Sequence, residues 1–480
     1  MRVLLVVGEP LMHERMGPMM LAAVLRRAGI AARIAVAARL GIRGMRRLLG
    51  TFRPSVIGWS AMTGEHARLV EINRTLKRDF DFVSVFGGPH ATFFPDLARD
   101  PSIDAVCRGE GESAFLEFCT RVRDGKSHHR TANFIVKRAG RACANPLRPL
   151  TRDLDSLPFA DREAMYAADP SLRHEPHRMF FAGRGCPFSC TYCFNRRFGE
   201  LYRGAGKRVR LRTPANLVDE IAVVRSAHGL RLVWIDDDVF PTFDSGWMDE
   251  FVKKYPRRVG LPFVCNVRAD LVSARTVANL RDAGLRTVIM GVECGDEGAA
   301  RSILGRRVPN ARLKEAARWF KDAGVRVVTQ NLVGLPVPDP YGIDLATLDL
   351  NAEIGPDYAW SSILYPYPGT AIEAYARRHG RLRGDAFPET NKRASALSFR
   401  SRAERRRVEN LHKLFDFVVR FPRLRGWRDM LCDLPAERFY TALYYLWYGW
   451  KWKTIVFPFR SFPREIGGYL SLWSRMVAKS

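Results

Sequence analysis

The run Gly183-Arg184-Gly185-Cys186-Pro187-Phe188-Ser189-Cys190-Thr191-Tyr192-Cys193-Phe194-Asn195 places three cysteines within eight residues. Three thiolates on one short loop can hold three corners of a [4Fe-4S] cluster and leave the fourth iron without a protein ligand. A vacant position of that kind separates a site for chemistry from a closed structural one. Zinc would want a fourth Cys or His at matching spacing, and none stands nearby in the sequence. The apolar run Met179 to Ala182 just before the loop reads as a strand, so the cysteines follow a strand end.

Five further strand candidates recur beyond the loop: Leu232 to Ile235, Phe263 to Val267, Thr287 to Gly291, Val325 to Leu332 and Tyr358 to Leu364. Helical segments separate them, and in one of these Leu313, Ala316, Ala317 and Phe320 keep the spacing of a stripe that docks on a sheet. Leu280-Arg-Asp-Ala-Gly-Leu-Arg-Thr-Val288 and Phe320-Lys-Asp-Ala-Gly-Val-Arg-Val-Val328 form a weak repeat, each a helix end, a capping glycine and a strand start. Repeated junctions of one design point to a (β/α) barrel, and six units leave it open on one side.

Toward the N-terminus, the strand candidates Val3 to Val7, Ala32 to Val36, Ser55 to Trp59, Phe82 to Phe86 and Ala105 to Cys107 alternate with amphipathic stretches, as in an open parallel α/β unit. Their loops carry Gly8-Glu-Pro10, Ser60-Ala-Met62-Thr63, Gly87-Gly88-Pro-His90-Ala-Thr92 and Arg108-Gly-Glu110-Gly-Glu112. In such sheets a ligand lies beyond the carboxyl ends of the strands, where glycines admit close backbone approach. Residues 126–177 read as a connector with a small hairpin around Lys137 to Gly140.

The 480 residues carry nine cysteines, and outside the triad these are scattered singly, which excludes a secreted disulfide framework and suits a reducing cytoplasm. The N-terminal apolar stretch is too short for a signal peptide and reads as a buried strand. A formal charge of +27 invites an anionic partner, yet the basic residues run along the whole chain and no RNA-binding module follows the core, so nucleic acid is disfavoured. The basic loop from Arg196 to Arg210 reads either as a cover over the site or as a solvated flap. Near the C-terminus, Val408, Leu411, Phe415 and Val418 form a helical stripe. The run from Phe439 to Trp450 is uncharged, aromatic, and bracketed by Arg438 and Lys451. It is too short to span a bilayer; it suits either the membrane interface or a cap on the open barrel.

The cysteine loop resembles that of the radical S-adenosylmethionine enzymes. The α/β unit before it resembles the cobalamin-binding domain fused to one large branch of them, the branch of anaerobic magnesium-protoporphyrin cyclase and of phosphonate and hopanoid-type methylases. The resemblance implies an α/β chain with a Rossmann-like cobalamin domain over residues 1–125, a connector over 126–177, a partial (β/α)6 barrel over 178–384 and a helical cap over 385–480. It makes Cys186, Cys190 and Cys193 the cluster ligands and catalytic centre, with S-adenosylmethionine on the open iron and Tyr192 beside its adenine. Asp236-Asp-Asp-Val-Phe240 resembles the family's D-D-x-F signature, in which Asp237 or Asp238 faces the amino end of S-adenosylmethionine. Arg268 and Glu293 are implied near the nucleoside, and Gly334 where backbone approaches adenine.

For cobalamin the implied contacts are Ser60, Met62, Thr63, Gly87, Gly88, His90, Glu110 and Glu112, although a unit that keeps the fold and binds nothing remains open. Many cobalamin domains carry a D-x-H-x-x-G ligand motif, but His13 has neither its Asp nor its Gly, so no histidine ligand is expected from that loop. The implied activity is methylation of an unactivated carbon of a small-molecule or lipid-like substrate, fed by an electron donor such as flavodoxin or ferredoxin. An oxidative cyclase or ring-rearranging enzyme with the same cofactors and a non-catalytic cobalamin sensor are the alternatives. The implied location is cytoplasmic, with membrane contact at the cytoplasmic face as an option.

Overall fold

The computed structural model describes residues 1–9, 14–138, 140–240, 245–382 and 394–458; His13 lies outside the described residues. The chain divides into two compact units. One holds Met1–Glu175 with Phe198–Arg210; the other holds Pro176–Arg197 with the described residues from Leu211 onward.

The first unit is built on seven strands: Arg2–Val7, Ala31–Val36, Val56–Ser60, Val83–Gly87, Ala105–Cys107, Phe134–Arg138 and Arg141–Ala144. They lie in the order second, first, third, fourth, fifth, sixth, seventh, and the first five are parallel. Alternate residues of the first strand feed two cores, Val3, Leu5 and Val7 into one and Leu4 and Val6 into the other. Burial on both faces is why this strand reads as an unbroken apolar run. The chain order reverses between the first and third strands, which puts the ligand crevice of this topology at the ends of Val7 and Ser60. The segment expected as a connector adds two antiparallel strands to the sheet edge, Ile135 pairing with Val106 and Val136 with Cys143, so seven strands stand where five were expected. Ile135 and Val136 are buried, so this hairpin packs on the sheet as part of the unit.

The second unit holds six parallel strands, His177–Phe180, Leu232–Ile235, Phe263–Val267, Leu285–Glu293, Arg326–Val333 and Tyr358–Ile363, paired in sequence order. Among the described residues the first and last strands are not paired with each other, so the barrel is open. The helix Asn310–Asp322 buries the expected stripe of Leu313, Ala316, Ala317 and Phe320. Gly284 and Gly324 take positive φ at the two repeated helix ends, a conformation that a side chain would strain.

The C-terminal region packs on this unit. Helix Arg402–Arg420 buries Val408, Leu411, Phe415 and Val418, and helix Glu437–Lys451 buries Tyr440, Tyr444, Tyr445 and Lys451. The turn after it enters the barrel near the amino ends of the strands. Trp452 meets Trp234 and Trp360 edge-on, Thr287 donates to the Ile455 carbonyl, and Arg326 donates to that of Thr454. The cap reading of the aromatic run holds for this buried face. Phe439, Leu446 and Trp450 on the other face are exposed. Among the described residues no helix is long and apolar enough to cross a membrane.

Candidate active site

The strand His177–Phe180 delivers the cysteine loop at its carboxyl end. Cys186 and Cys190 are buried and Cys193 is half-buried. Burial pushes the Cys193 thiol up to about 11, the nearby Asp238 adding to the effect. Three thiols so placed, with Arg268 Nη1 at 3.9 Å from Cys190 Sγ, fit a cationic iron group that would hold them as thiolates. Among the described residues no three His, Cys, Asp or Glu groups converge on one ion. A cluster needs no such convergence, since each thiolate ligates a different iron, whereas zinc does.

The three aspartates that follow strand Leu232–Ile235 differ in exposure: Asp236 is half-buried, Asp237 buried and Asp238 exposed. Asp237 is buried, and its carboxylate accepts the N–H groups of Ala182 and Gly183, each at 2.7 Å, tying the start of the cysteine loop to the neighbouring strand. Asp238 is exposed, accepts from the Asn195 side chain and stands near Cys193. Asp236 accepts from Asn266 at 3.2 Å, and burial pushes it up to about 7. Of the two expected candidates, Asp238 is the one whose carboxylate is open to a ligand.

Arg268, also buried, stacks its guanidinium on Phe188 of the cysteine loop at 3.5 Å and is paired with Asp270 at 2.8 Å. Glu293 ends strand Leu285–Glu293 at a register irregularity, with φ of +68°, a left-handed conformation that costs a non-glycine residue about 1–3 kcal/mol. Its carboxylate hydrogen-bonds to the Tyr192 phenol and lies 3.9 Å from Arg306 Nη1. Tyr192 is thereby joined to Glu293 and Arg306, a geometry that adenine contact alone would not require. Gly334 has φ of +72°; its N–H donates to Asp344 at 2.9 Å, and Val408 closes the side where a Cβ would stand.

Arg306 was not among the residues singled out from sequence. The arginine stands in the stretch Gly305-Arg306-Arg307 without a motif around it, and the cysteine loop and the strand Leu285–Glu293 give it its partners. The loop Tyr365 to Gly369 after the sixth strand brings Tyr367 to 5.7 Å from Phe194, between ring centroids, and sets Gly369 against Arg197.

In the first unit the strand-end loops form a second constellation. Gly88 takes φ of +91°, and a side chain there would press on the Ala61 backbone, whose N–H donates to the Gly87 carbonyl. His90 is buried, pairs with the Thr63 hydroxyl at 3.1 Å and stacks on His66 at 3.6 Å. Desolvation, with His66 alongside, pushes its imidazole down to about 3. Ser60 is half-buried and Met62 exposed at the mouth of the crevice. The structure thus brings Ser60, Met62, Thr63, Gly88 and His90 together at the carboxyl ends of the third and fourth strands, with Met62 open to a ligand.

The Arg108 to Glu112 loop is more closed. Glu110 is engaged by Arg210 at 2.9 Å and by the Thr151 N–H, and the Tyr202 hydroxyl fills the space beside Gly109. Glu112 is buried at the start of its helix, near Cys107. Tyr202 and Arg210 are buried, so the basic loop expected as a cover or flap is anchored here by its second half.

Residues 181–343 match the radical SAM superfamily, and residues 2–118 match the B12 binding domain. The chain belongs to the cobalamin-binding radical S-adenosylmethionine family. Its cofactors are a [4Fe-4S] cluster, S-adenosylmethionine and cobalamin. A methyltransferase of Pyrococcus horikoshii, itself named as uncharacterized, is 24% identical over 69% of this chain and 71% of its own. The anaerobic magnesium-protoporphyrin IX monomethyl ester cyclase of Rubrivivax gelatinosus is 28% identical over 68% of this chain. The cytidylyl-2-hydroxyethylphosphonate methyltransferase of Streptomyces wedmorensis is 23% identical over 60% of it. This chain spans 59% of the length of each of the latter two. The methyltransferase TsrM from Kitasatospora setae, at 17% identity, superposes with a TM-score of 0.61 over 76% of this chain and 73% of its own. The cobalamin-dependent radical enzyme OxsB, at 15% identity, gives 0.70 over 100% of this chain and 75% of its own. These two likenesses are of fold. The two matched regions are successive segments of this chain, with the cysteine triad near the start of the second.

Proposed function

We propose that the chain methylates an unactivated carbon of a small or lipid-like organic molecule. When bound, the cluster, S-adenosylmethionine and cobalamin supply a hydrogen-abstracting radical and a transferable methyl group. The protein's part is to hold and orient. Cys186, Cys190 and Cys193 hold three irons. Asp238 meets the ammonium of S-adenosylmethionine through a charge-assisted bond, while Arg268 and Glu293 frame its nucleoside. Ser60, Met62, Thr63, Gly87, Gly88 and His90 line the crevice for cobalamin, and the Tyr365 to Gly369 loop with Phe194 limits water near the reacting atoms.

The observation that carries this reading is the occurrence, in one chain, of a cysteine triad at a barrel strand end and of a parallel sheet whose strand-end loops gather Ser60, Met62, Thr63, Gly88 and His90. The relatives named as methyltransferases add support for methyl transfer. The test is anaerobic turnover with S-adenosylmethionine and reduced flavodoxin or ferredoxin. Methylation yields both 5′-deoxyadenosine and S-adenosylhomocysteine; lack of the second product with the true substrate would remove methyl transfer and favour the cyclase reading that the Rubrivivax relative's name suggests.

The exposed face of helix Glu437–Lys451 supports a peripheral membrane contact. Phe439, Leu446 and Trp450 form one helical stripe with Phe421 and Trp427 also exposed nearby in sequence, and Arg420, Arg423 and Arg438 are exposed among them. Aromatic and basic side chains together suit an anionic lipid interface. Co-sedimentation with anionic vesicles that is unchanged by replacing the three stripe residues with serine would discard this contact.

A further inference from the structure

The segment Ile303 to Arg306 links the cysteine loop to the fourth barrel strand. On one side it accepts from the cysteine loop, the Thr191 N–H reaching the Leu304 carbonyl at 3.0 Å and the Thr191 hydroxyl reaching that of Ile303 at 2.6 Å. Gly305, at φ of +67°, packs against Ser189 and Thr191. On the other side Arg306 Nη2 donates to the Gly291 carbonyl at 2.6 Å, directly before the register irregularity that ends in Glu293. Gly291 has no room for a side chain, since one would press on the Glu293 carboxylate and the Arg306 guanidinium. Arg306 is itself only 6% exposed and is joined to the Tyr192 phenol.

We infer that Arg306 is a positioning residue: it clasps the strained Glu293 and the Tyr192 of the cysteine loop into one rigid unit, so that the nucleoside-facing carboxylate is set at a fixed distance from the cluster. Three features require such a clasp. A left-handed glutamate persists only where its surroundings over-determine it. A buried carboxylate at a strand end needs a cation, and Arg306 is the one that reaches both it and the backbone carbonyl two residues earlier. The planar fork lets one side chain hydrogen-bond the carbonyl and keep a charge beside the carboxylate in one fixed geometry, which the point charge of an ammonium holds less firmly. Partners that orient ligand-holding groups typically change affinity by about 10–100-fold when removed.

The inference rests on the proposed placing of S-adenosylmethionine beside Glu293, and its test separates the two. Full-length R306Q, R306K, E293Q and the R306Q/E293Q double variant are reconstituted anaerobically. Each is examined for its four-iron absorption and for S-adenosylmethionine affinity by equilibrium dialysis. The expected result is a retained cluster in R306Q with affinity weakened about 10–100-fold, partial recovery in R306K, and a double variant no weaker than E293Q alone. Independent, multiplying losses in the double variant would overturn the clasp, as would unchanged affinity in R306Q. If both Arg306 variants lose the cluster, the residue serves folding of the cysteine loop and the inference also fails. If E293Q binds as the parent does, it is the placing of S-adenosylmethionine beside Glu293 that fails.

Discussion

Replacing Asp237 by Asn should loosen the junction that aims the cysteine loop, while the same change at Asp238 should leave the fold intact and weaken ligand binding. Both Asp237 oxygens accept backbone N–H groups at 2.7 Å in a buried setting. An amide offers a single acceptor, so one of the two N–H groups then faces an NH2 group. A hydrogen bond to a charged acceptor contributes about 1.5–3 kcal/mol, and the surviving bond weakens when the charge is removed. Relief from burying a carboxylate offsets part of this, since burial pushes Asp237 up to about 7 despite its two donors. The net cost is about 2 kcal/mol, which for a large domain lowers Tm by about 4–8 °C. Asp238 is exposed and holds only a side-chain partner, Asn195, so Asp238→Asn should shift Tm by about 1–2 °C at most. The assay is anaerobic thermal melting of both reconstituted variants, beside equilibrium dialysis with S-adenosylmethionine. A D237N protein that melts with the parent, paired with a D238N protein that melts early and binds normally, would refute the reasoning.

Alanine at Cys186, Cys190 or Cys193 should abolish the four-iron absorption of anaerobically reconstituted protein, because two remaining thiolates do not hold the cluster; iron content and the visible spectrum check this. His90 governs an acid limb. Its folded imidazole is pushed down to about 3, whereas an unfolded one titrates near 6.5, so its contribution is present above about 6.5 and is lost as pH falls toward 3. The loss approaches about 1.4 kcal/mol per pH unit in that window, and urea titrations at pH 7 and pH 5 should show H90Q flattening it. Gly334→Ala should destabilise the second unit by about 1–3 kcal/mol in thermal melts, since it forces a side chain into φ of +72° and against Val408 at 3.0 Å.

The cysteine spacing, the six apolar runs after it and the five before it were legible in the sequence because each is a local pattern. A loop between two elements fixes ligand spacing, and burial on both faces makes a parallel strand an apolar run. The hairpin of Phe134–Arg138 and Arg141–Ala144 was legible as a hairpin but not as part of the sheet. Its edge pairing with Ala105–Cys107 is a long-range choice that its own residues do not announce.

The sequence by itself determined the chemistry: three thiols in eight residues, followed by acids and small residues at strand ends, leave few cofactors that fit. Tertiary structure alone decided which groups are free to use it. Asp237 and Asp238 are neighbours in the same acidic run, yet the loop buries one against the N–H groups of Ala182 and Gly183 and leaves the other exposed. Arg306 has no motif, and acquires its place only when residues 191, 291, 293 and 306 are brought together by the closing of parallel strands. Trp452 likewise enters the barrel from far along the chain. Side-chain type and spacing are properties of the chain, whereas partner and exposure are properties of its packing.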